Sequence, residues 1–288
     1  MHRAFRRCLP RLHAPHAALH SFPAVKSQGF PSGAQAALLF LALFLCEFVI
    51  SLALRDANRW LGLNEMQLGV LSVVLGNGCV FAGVMHFQQL TYRELFHQSP
   101  ASARATLVLI VPPVLLLVPG LMVVIVTAMN LLMLVAPLSA WEESMFSRMA
   151  DGSVAATLAV CVMAPLLEEM LFRGIVLRGF LQRYSRWQAI LGSALLFGVA
   201  HMNIYQFVVG LVMGTALGWL YERTRSLIPC IALHAAYNTG TIFLSDLPET
   251  ISLADTALAL LAILLATVCG VLALRHMLVA PIARRPAP

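Results

Sequence analysis

Charged residues are scarce in this chain. Asp, Glu, Lys and Arg together make up 11% of its 288 residues, whereas hydrophobic residues make up 60%. A soluble globular domain carries about 25% charged residues, so this chain has too little polar surface to cover a folded body in water. The composition excludes an ordinary soluble domain and indicates a protein that exposes apolar side chains to lipid.

Several motifs of metal-binding and catalytic sites are also missing. The six cysteines form no CxxC pair and no Cys/His cluster with zinc-finger spacing, so we interpret them as small buried hydrophobic residues. The chain contains neither the HExxH motif of zinc peptidases nor the GxSxG motif of serine hydrolases. It also has no Gly-Asp pair that would offer an aspartyl dyad. A protease with this sequence would therefore need a different catalytic group.

The formal net charge of +6 does not indicate a nucleic-acid partner. Nucleic-acid-binding domains gather their basic residues in a patch or stripe on one face. Here the basic residues fall between apolar runs, as they do in the cytoplasmic loops of membrane proteins. We therefore expect no nucleic acid among the partners of this chain.

Eight apolar segments predict the fold. A helix that crosses the hydrocarbon core needs about 20 mostly apolar residues. The segments predict an all-α fold, a polytopic integral membrane helix bundle of about eight transmembrane helices over residues 37–280. The third segment has room to tilt, to kink at its prolines or to form two half-segments, and the fifth and sixth are short. The segments are 38–54, 67–87, 105–135, 154–177, 189–203, 205–221, 227–244 and 256–279.

Short tails flank the predicted bundle. Residues 1–36 are rich in arginine and contain no acid, which predicts a disordered, basic tail on the cytoplasmic side. A secretory signal is not expected there, because no apolar core with a cleavage site follows the early arginines. Residues 281–288 are expected to form a second cytoplasmic tail.

The basic residues predict the orientation in the membrane. Eight spans place both termini on one side, and fifteen Lys and Arg residues fall on that side against three on the other. Such an excess marks cytoplasmic loops. The high content of Arg, Ala and Leu is typical of a bacterial protein, so we predict a bacterial inner membrane with both termini cytoplasmic. The basic residues on the side of the termini are Arg3, Arg6, Arg7, Arg11, Lys26, Arg93, Arg104, Arg178, Arg183, Arg186, Arg223, Arg225, Arg275, Arg284 and Arg285, and those on the other side are Arg55, Arg59 and Arg148.

Four ionisable groups lie inside apolar segments, namely Glu47, Glu168, Glu169 and Arg173. Each costs roughly 2.5–3.5 kcal/mol at the centre of a membrane helix and usually faces a protein interior or a watery cavity. Glu169 and Arg173 are four residues apart in the favourable order, acid before base. Glu168 points about 100° away on the helix, so it is free for chemistry. Glu47 is expected to pair with another polar group or to face the interior of the bundle.

Two histidines also lie in apolar segments. His201 ends the fifth segment, and His234 lies in the seventh, four residues before Asn238. One helix face should therefore present an imidazole and an amide together. A single membrane histidine is usually a hydrogen bond between helices. Two histidines, together with an acid cluster and the amide, indicate a reactive site.

These side chains suit hydrolysis by an activated water molecule. Glu168 could take a proton from water and return it to the leaving amine, with His201 orienting that water. Asn238, with or without His234, could donate hydrogen bonds to the developing oxyanion.

Two alternatives remain open from the residues. Glu168, His201 and His234 could instead bind zinc as a His₂Glu set, although no metal or other cofactor is expected, since this would leave Asn238 unexplained. The same buried groups could also serve a transporter or channel, which predicts discontinuous helices.

The motifs Glu168-Glu169…Arg173, Phe197…His201 and His234…Asn238, in this order, resemble those of the CPBP family of intramembrane glutamic endopeptidases. This family includes the Ras-converting CAAX prenyl endopeptidase and bacterial immunity-type relatives. The resemblance covers residues 154–244, which we take as the catalytic core.

The resemblance implies about eight spans around a conical cavity that opens to the cytoplasm and the bilayer. It implies that Glu168 activates water, that His201 assists, and that His234 and Asn238 stabilise the oxyanion, with Glu169 and Arg173 in support. The expected partners are the lipid bilayer and a membrane-associated peptide or protein substrate. The bacterial branch implies protein processing or bacteriocin immunity.

Overall fold

The structure is a computed structural model that describes residues 29–149, 153–245 and 253–279. Most of the predicted N-terminal tail and all of the C-terminal tail lie outside these ranges. The helices in chain order are α1 (Gly33–Leu61), α2 (Glu65–Gln88), α3 (Tyr92–Phe96), α4 (Ala103–Leu115), α5 (Val118–Val135), α6 (Ala140–Met149), α7 (Val154–Arg183), α8 (Arg186–Ala200), α9 (Ile204–Thr224), α10 (Ile228–Ser245) and α11 (Leu253–Val279).

The predicted all-α membrane fold is confirmed, because helices cover all eight apolar segments. Six of the described helices are long and apolar enough to cross a membrane: α1, α2, α5, α7, α9 and α11. Helices α4 and α10 are shorter but also apolar. Helix α8 has 15 residues, so its rise of 1.5 Å per residue covers about 22 Å of a hydrocarbon core about 30 Å thick.

The third apolar segment forms two helices, α4 and α5, separated by a turn at Leu116 and Leu117. Of the outcomes that the sequence left open, two half-segments is the one observed. The cause is Pro119, which stands in the first turn of α5. Proline lacks the N–H that would continue the helix from α4, but it fits the first turn of a new one.

Helices α1 and α2 form a tight hairpin. Gly62 ends α1 with a φ of 64°, and the side chain of Asn64 caps α2 by accepting from Gln67 N–H. The intramembrane Glu47 accepts a 2.8 Å hydrogen bond from the amide of Asn77 on α2, so this acid pairs within the hairpin. Gly76 allows that approach, because a Cβ there would lie 2.4 Å from Cγ of Glu47.

The two ends of the bundle can be told apart by the loops that meet there. At one end the amide of Gly33 donates to the hydroxyl of Tyr184, and the amide of Leu227 donates to the carbonyl of Phe96. We call this the basic end, because the loops there carry the predicted cytoplasmic arginines. The other end, called the acidic end, contains residues 61–65, 136–149 and 201–204.

Candidate active site

The three sequence motifs converge on one cavity. Glu168 on α7, His201 after α8, and His234 and Asn238 on α10 all line it. The cavity has a volume of about 910 Å³, at the upper end of the range of about 300–1,000 Å³ that is usual for small-molecule sites. Residues of α2, α6 and α9 complete its walls.

Glu169 and Arg173 lie behind this cavity, where both side chains are fully buried. Nη1 of Arg173 donates to Oε1 of Glu169 over 2.8 Å, and Nη2 of Arg173 donates to the carbonyl of Gly214 over 3.3 Å. The predicted pairing on one helix face is therefore present. Helix α7 winds as a π-helix over Met170–Leu177. This form is rare in proteins as a whole, but where it occurs it is often at a functional site.

His234 is held by the same carboxylate. Its Nδ1 lies 2.8 Å from Oε1 of Glu169. An ionised carboxylate only accepts hydrogen bonds, so Nδ1 carries the proton and donates. In the neutral imidazole this leaves Nε2 with a lone pair, and Nε2 lies 3.7 Å from Oε2 of Glu168. The sequence predicted His234 at the site but did not predict that Glu169 orients it.

Glu168 differs from Glu169 in its surroundings. Its side chain is 29% exposed, whereas that of Glu169 is not exposed at all. Its carboxylate faces the cavity, and the separation of 3.7 Å from His234 is longer than a hydrogen bond. Of two consecutive acids, one is neutralised inside the protein and the other remains open to the cavity.

His201 lies at the turn between α8 and α9. Its Nδ1 is 2.9 Å from the carbonyl of Phe197. Since a carbonyl can only accept, Nδ1 donates, and Nε2 of the neutral ring is left as an acceptor. Helix α8 begins with Arg186 and Trp187, which are typical of the membrane interface. With these two residues at the interface, the short length of α8 is expected to leave His201 below the opposite membrane surface.

Asn238 also lines the cavity, but part of its amide is already used. Its Nδ2 donates a 2.8 Å hydrogen bond to the carbonyl of Val160 on α7. The amide nitrogen carries two hydrogens, so one remains for a ligand. The bond to Val160 fixes the orientation of the amide, a contact that the sequence did not reveal.

Phe197 lies at the centre of these groups. The guanidinium of Arg173 sits 4.6 Å from its ring centroid, and the rings of His201 and His234 contact it edge-on at 5.1 and 5.8 Å. The cation–π contact between Arg173 and Phe197 is favourable because the guanidinium is desolvated. The sequence indicates Phe197 only as part of a motif, because its contacts with Arg173 and His234 come from two other helices, α7 and α10.

Glycines bring α8 and α9 together at this site. A Cβ on Gly214 would lie 2.8 Å from Cα of Ala194, and one on Gly210 would lie 2.8 Å from Cα of Gly198. Small residues at such spacing allow membrane helices to approach closely. The approach presents the carbonyl of Gly214 to Arg173 and so fixes the buried ion pair.

Helix α6 covers the acidic end of the bundle. Met145 and Phe146 line the cavity, and Phe146 packs against Tyr205 at 6.4 Å. Glu142 accepts a hydrogen bond from Asn203 over 2.9 Å. The backbone N–H and the hydroxyl of Ser139 also donate to Glu142. Both bonds lower the pKa of the Glu142 carboxyl, and the backbone bond has the larger effect.

The described residues contain no group of three or more His, Cys, Asp or Glu side chains arranged to hold a metal ion. The suggested His₂Glu set is therefore not assembled as a ligand cluster in this arrangement. Gln206, two residues into α9, also lines the cavity, and no sequence motif indicates it.

Residues 150–240 match the family described as type II CAAX prenyl endopeptidase Rce1-like. This segment contains all six predicted site residues and about a third of the chain. The predicted resemblance is thereby confirmed. No solved structure matches this chain.

Three bacterial proteins are each similar to slightly less than a third of the chain. The first is YdiL of Bacillus subtilis (strain 168), which is named provisionally as a membrane peptidase. It is 28% identical over 83 residues, which cover 29% of this chain and 34% of YdiL. The second is the UPF0177 protein YaiF of Lactococcus lactis subsp. lactis (strain IL1403), 35% identical over 28% of this chain and 36% of YaiF.

The third is an uncharacterized 24.3 kDa protein of Escherichia coli, 37% identical over 30% of this chain and 42% of that protein. The chain thus spans about a third of the length of the first two relatives and somewhat more of the third.

Proposed function

We propose, from the similarity of residues 150–240 to the Rce1-like endopeptidases, that this chain is an intramembrane endopeptidase whose nucleophile is a water molecule activated by Glu168. One observation carries the proposal: of the two adjacent acids, Glu169 is neutralised by Arg173 and His234, whereas Glu168 faces the cavity. A carboxylate kept open in an apolar cavity is costly and is suited to proton transfer.

The remaining cavity groups suit the other steps of peptide hydrolysis. Glu168 takes a proton from water as the water oxygen attacks the scissile carbonyl carbon, and the lone pair on Nε2 of His201 accepts a hydrogen bond that orients the water. The oxyanion that forms can accept from the remaining N–H of Asn238, and also from Nε2 of His234 where that nitrogen has bound a proton from solvent before the water attacks. Glu168 then passes its proton to the leaving amine.

The organisms of the relatives support the setting of this activity. All three are bacteria, so the substrate would be a bacterial peptide or protein at the inner membrane. Processing of bacterial proteins, including a role in bacteriocin immunity, fits this setting better than cleavage of prenylated proteins.

A transport function has one observation in its favour, the discontinuous helix pair α4 and α5. In transporters the broken backbone forms the binding site. Here Leu116 and Leu117 at the break do not line the cavity that holds Glu168. The peptidase is therefore the better proposal.

The test compares two intramembrane acids. Membrane-protein termini are identified by proteomics in cells that express the wild-type chain, Glu168→Gln or Glu47→Gln. Glu47 is the matched control, because it lies in a span but pairs with Asn77 away from the cavity. We expect new termini with wild type and Glu47→Gln, and a loss of about 10²–10⁴-fold in their formation with Glu168→Gln. Equal cleavage by all three chains would refute the proposal.

A further inference from the structure

The cavity occupies one half of the bundle, and it is the half away from the termini. Its walls use the first half of α2, the first half of α7, the first half of α9 and the second half of α10. Because the helices alternate in direction, all these halves lie at the acidic end. Glu65, the first residue of α2, and Phe146 of α6 are among the cavity's lining residues.

The basic end of the bundle is closed by packing. Leu95 of α3 is 1% exposed and lies against Gly174, where a Cβ would be 2.6 Å from Cδ1 of Leu95. The amide of Leu227 bonds to the carbonyl of Phe96, and Leu177 and Leu227 are fully buried. Among the described residues, none from the loops at the basic end lines the cavity.

This geometry separates two expectations that the sequence had joined. The distribution of arginines predicts cytoplasmic termini, whereas the resemblance implied a cavity that opens to the cytoplasm. The cavity and the described ends of α1 and α11 near the termini lie at opposite ends of the bundle, so one of the two expectations is wrong. The excess of fifteen basic residues against three follows from laying eight spans on this chain's own sequence, and such an excess determines orientation in the membrane.

We infer that the cavity opens towards the non-cytoplasmic face, and that the substrate is a polypeptide segment presented on that face. The identification of the occupant as a substrate rests on the proposed function. The apolar walls, with Met66, Val70 and Met163, suit apolar side chains of an extended segment, while Glu168, His201 and Asn238 meet its backbone. A segment that remains in the cytoplasm cannot reach this site without crossing the packed basic end.

Cysteine labelling tests the orientation without requiring activity. In a background in which the native cysteines are replaced by serine or alanine, Met66→Cys and Glu65→Cys place a thiol at the cavity, and Ala101→Cys places one at the exposed basic end. A membrane-impermeant maleimide is applied to intact spheroplasts and to inside-out vesicles. We expect labelling of the two cavity variants in spheroplasts, and labelling of Ala101→Cys only in inside-out vesicles. The reverse pattern overturns the inference.

The positions of the cleavage sites provide a second test of the orientation. Termini that form with wild type and are lost with Glu168→Gln should lie in segments on the non-cytoplasmic face, and termini confined to cytoplasmic segments would overturn the inference. If Glu168→Gln does not affect cleavage while the labelling pattern is as expected, the proposed function fails and the orientation of the cavity stands. If the labelling is reversed while Glu168 remains essential, only the orientation fails.

Discussion

The imidazole of His234 donates from Nδ1 to Oε1 of Glu169 over 2.8 Å, and that oxygen also accepts from Arg173. One buried carboxylate oxygen thus joins α7 to α10. The other oxygen, Oε2 of Glu169, is buried without a hydrogen-bond partner in the described residues. The arrangement concentrates two donors on one atom and turns Nε2 of His234 towards Glu168.

Replacing each of the two adjacent glutamates in turn should separate an effect on the stability of the fold from an effect on catalysis. Glu169→Gln leaves the guanidinium of Arg173 buried without its charge partner, which typically costs about 3–5 kcal/mol. We expect a clearly lower midpoint of thermal unfolding in detergent for Glu169→Gln. Glu168→Gln should keep a midpoint close to that of wild type, because its carboxylate faces the cavity. Equal loss of stability in both variants would contradict the assigned positions.

Removal of the His201 imidazole should abolish cleavage while leaving insertion intact. His201→Ala deletes the ring that contacts Phe197 and the acceptor that orients the attacking water, so we expect the rate to fall by about 10²–10⁴-fold. Cleavage and membrane integration are measured on the same preparation. His86→Ala, at the exposed C-terminal turn of α2, is the control and should cleave at the wild-type rate. Full activity of His201→Ala would exclude this role.

Chelation distinguishes the two hydrolytic mechanisms that the residues allow. If Glu168 activates water directly, incubation of the purified protein with EDTA or 1,10-phenanthroline leaves the cleavage rate unchanged. Loss of activity that zinc alone restores would establish the His₂Glu alternative with Glu168, His201 and His234. The rate with buffer alone and with added zinc provides the matched controls.

The contact between α8 and α9 should tolerate no side chain at Gly214. Gly214→Ala places a Cβ 2.8 Å from Cα of Ala194, and overpacking of this kind costs about 1–3 kcal/mol. Gly83→Ala on α2 is the matched control, because its Cβ would meet nothing within 4 Å. Alanine favours a helix by about 1 kcal/mol over glycine, so the control should unfold at the same temperature or higher. If Gly214→Ala did not change the stability, the two helices would have to be farther apart than the structure shows.

The attachment of α6 should weaken in acid. Hydrogen bonds from Ser139 and from Asn203 lower the pKa of Glu142, so their stabilising effect is present above the ordinary pKa of a glutamate and is lost as the pH falls through the lowered value. Maleimides react poorly in acid, so methanethiosulfonate labelling of Phe146→Cys is compared with that of Ala101→Cys at each pH. We expect the ratio to rise at low pH, and an unchanged ratio would contradict the attachment. Glu142→Gln should remove the dependence.

The apolar segments were sufficient to predict the membrane fold, because the length and composition of each helix are local properties. The break between α4 and α5 was foreseen among several outcomes, since Pro119 limits the backbone but does not by itself choose between a kink and a turn. The shortness of α8 was also visible, because residues 189–203 are fewer than a span requires.

The site was only partly predictable. The freedom of Glu168 followed from its angle to Glu169 on one helix, and the structure places it as expected. The second partner of Glu169, His234, lies 65 positions away along the chain, so no local spacing could have revealed it. The same holds for the carbonyl of Val160 that fixes Asn238.

The end at which the cavity opens could have been found from the sequence. His201 ends the fifth segment, and an odd number of spans after the N-terminus leads to the side opposite the termini. The resemblance predicts the other end, because it implies a cavity open to the cytoplasm. The wall formed by α2 and α6 had no such signal, because apolar residues on these helices look the same whether they face lipid or a cavity.

The length of α8 has a further consequence for the surrounding lipid. Beside a helix about 22 Å long, among neighbours able to cross a core about 30 Å thick, lipid headgroups are expected to sink towards the helix end, which would dent the bilayer near His201. With the proposed function and orientation, water for hydrolysis would then have a short path from the outer aqueous phase. In membranes built from longer acyl chains the dent would be energetically harder to form, so we expect lipid composition to tune the supply of water to the reaction.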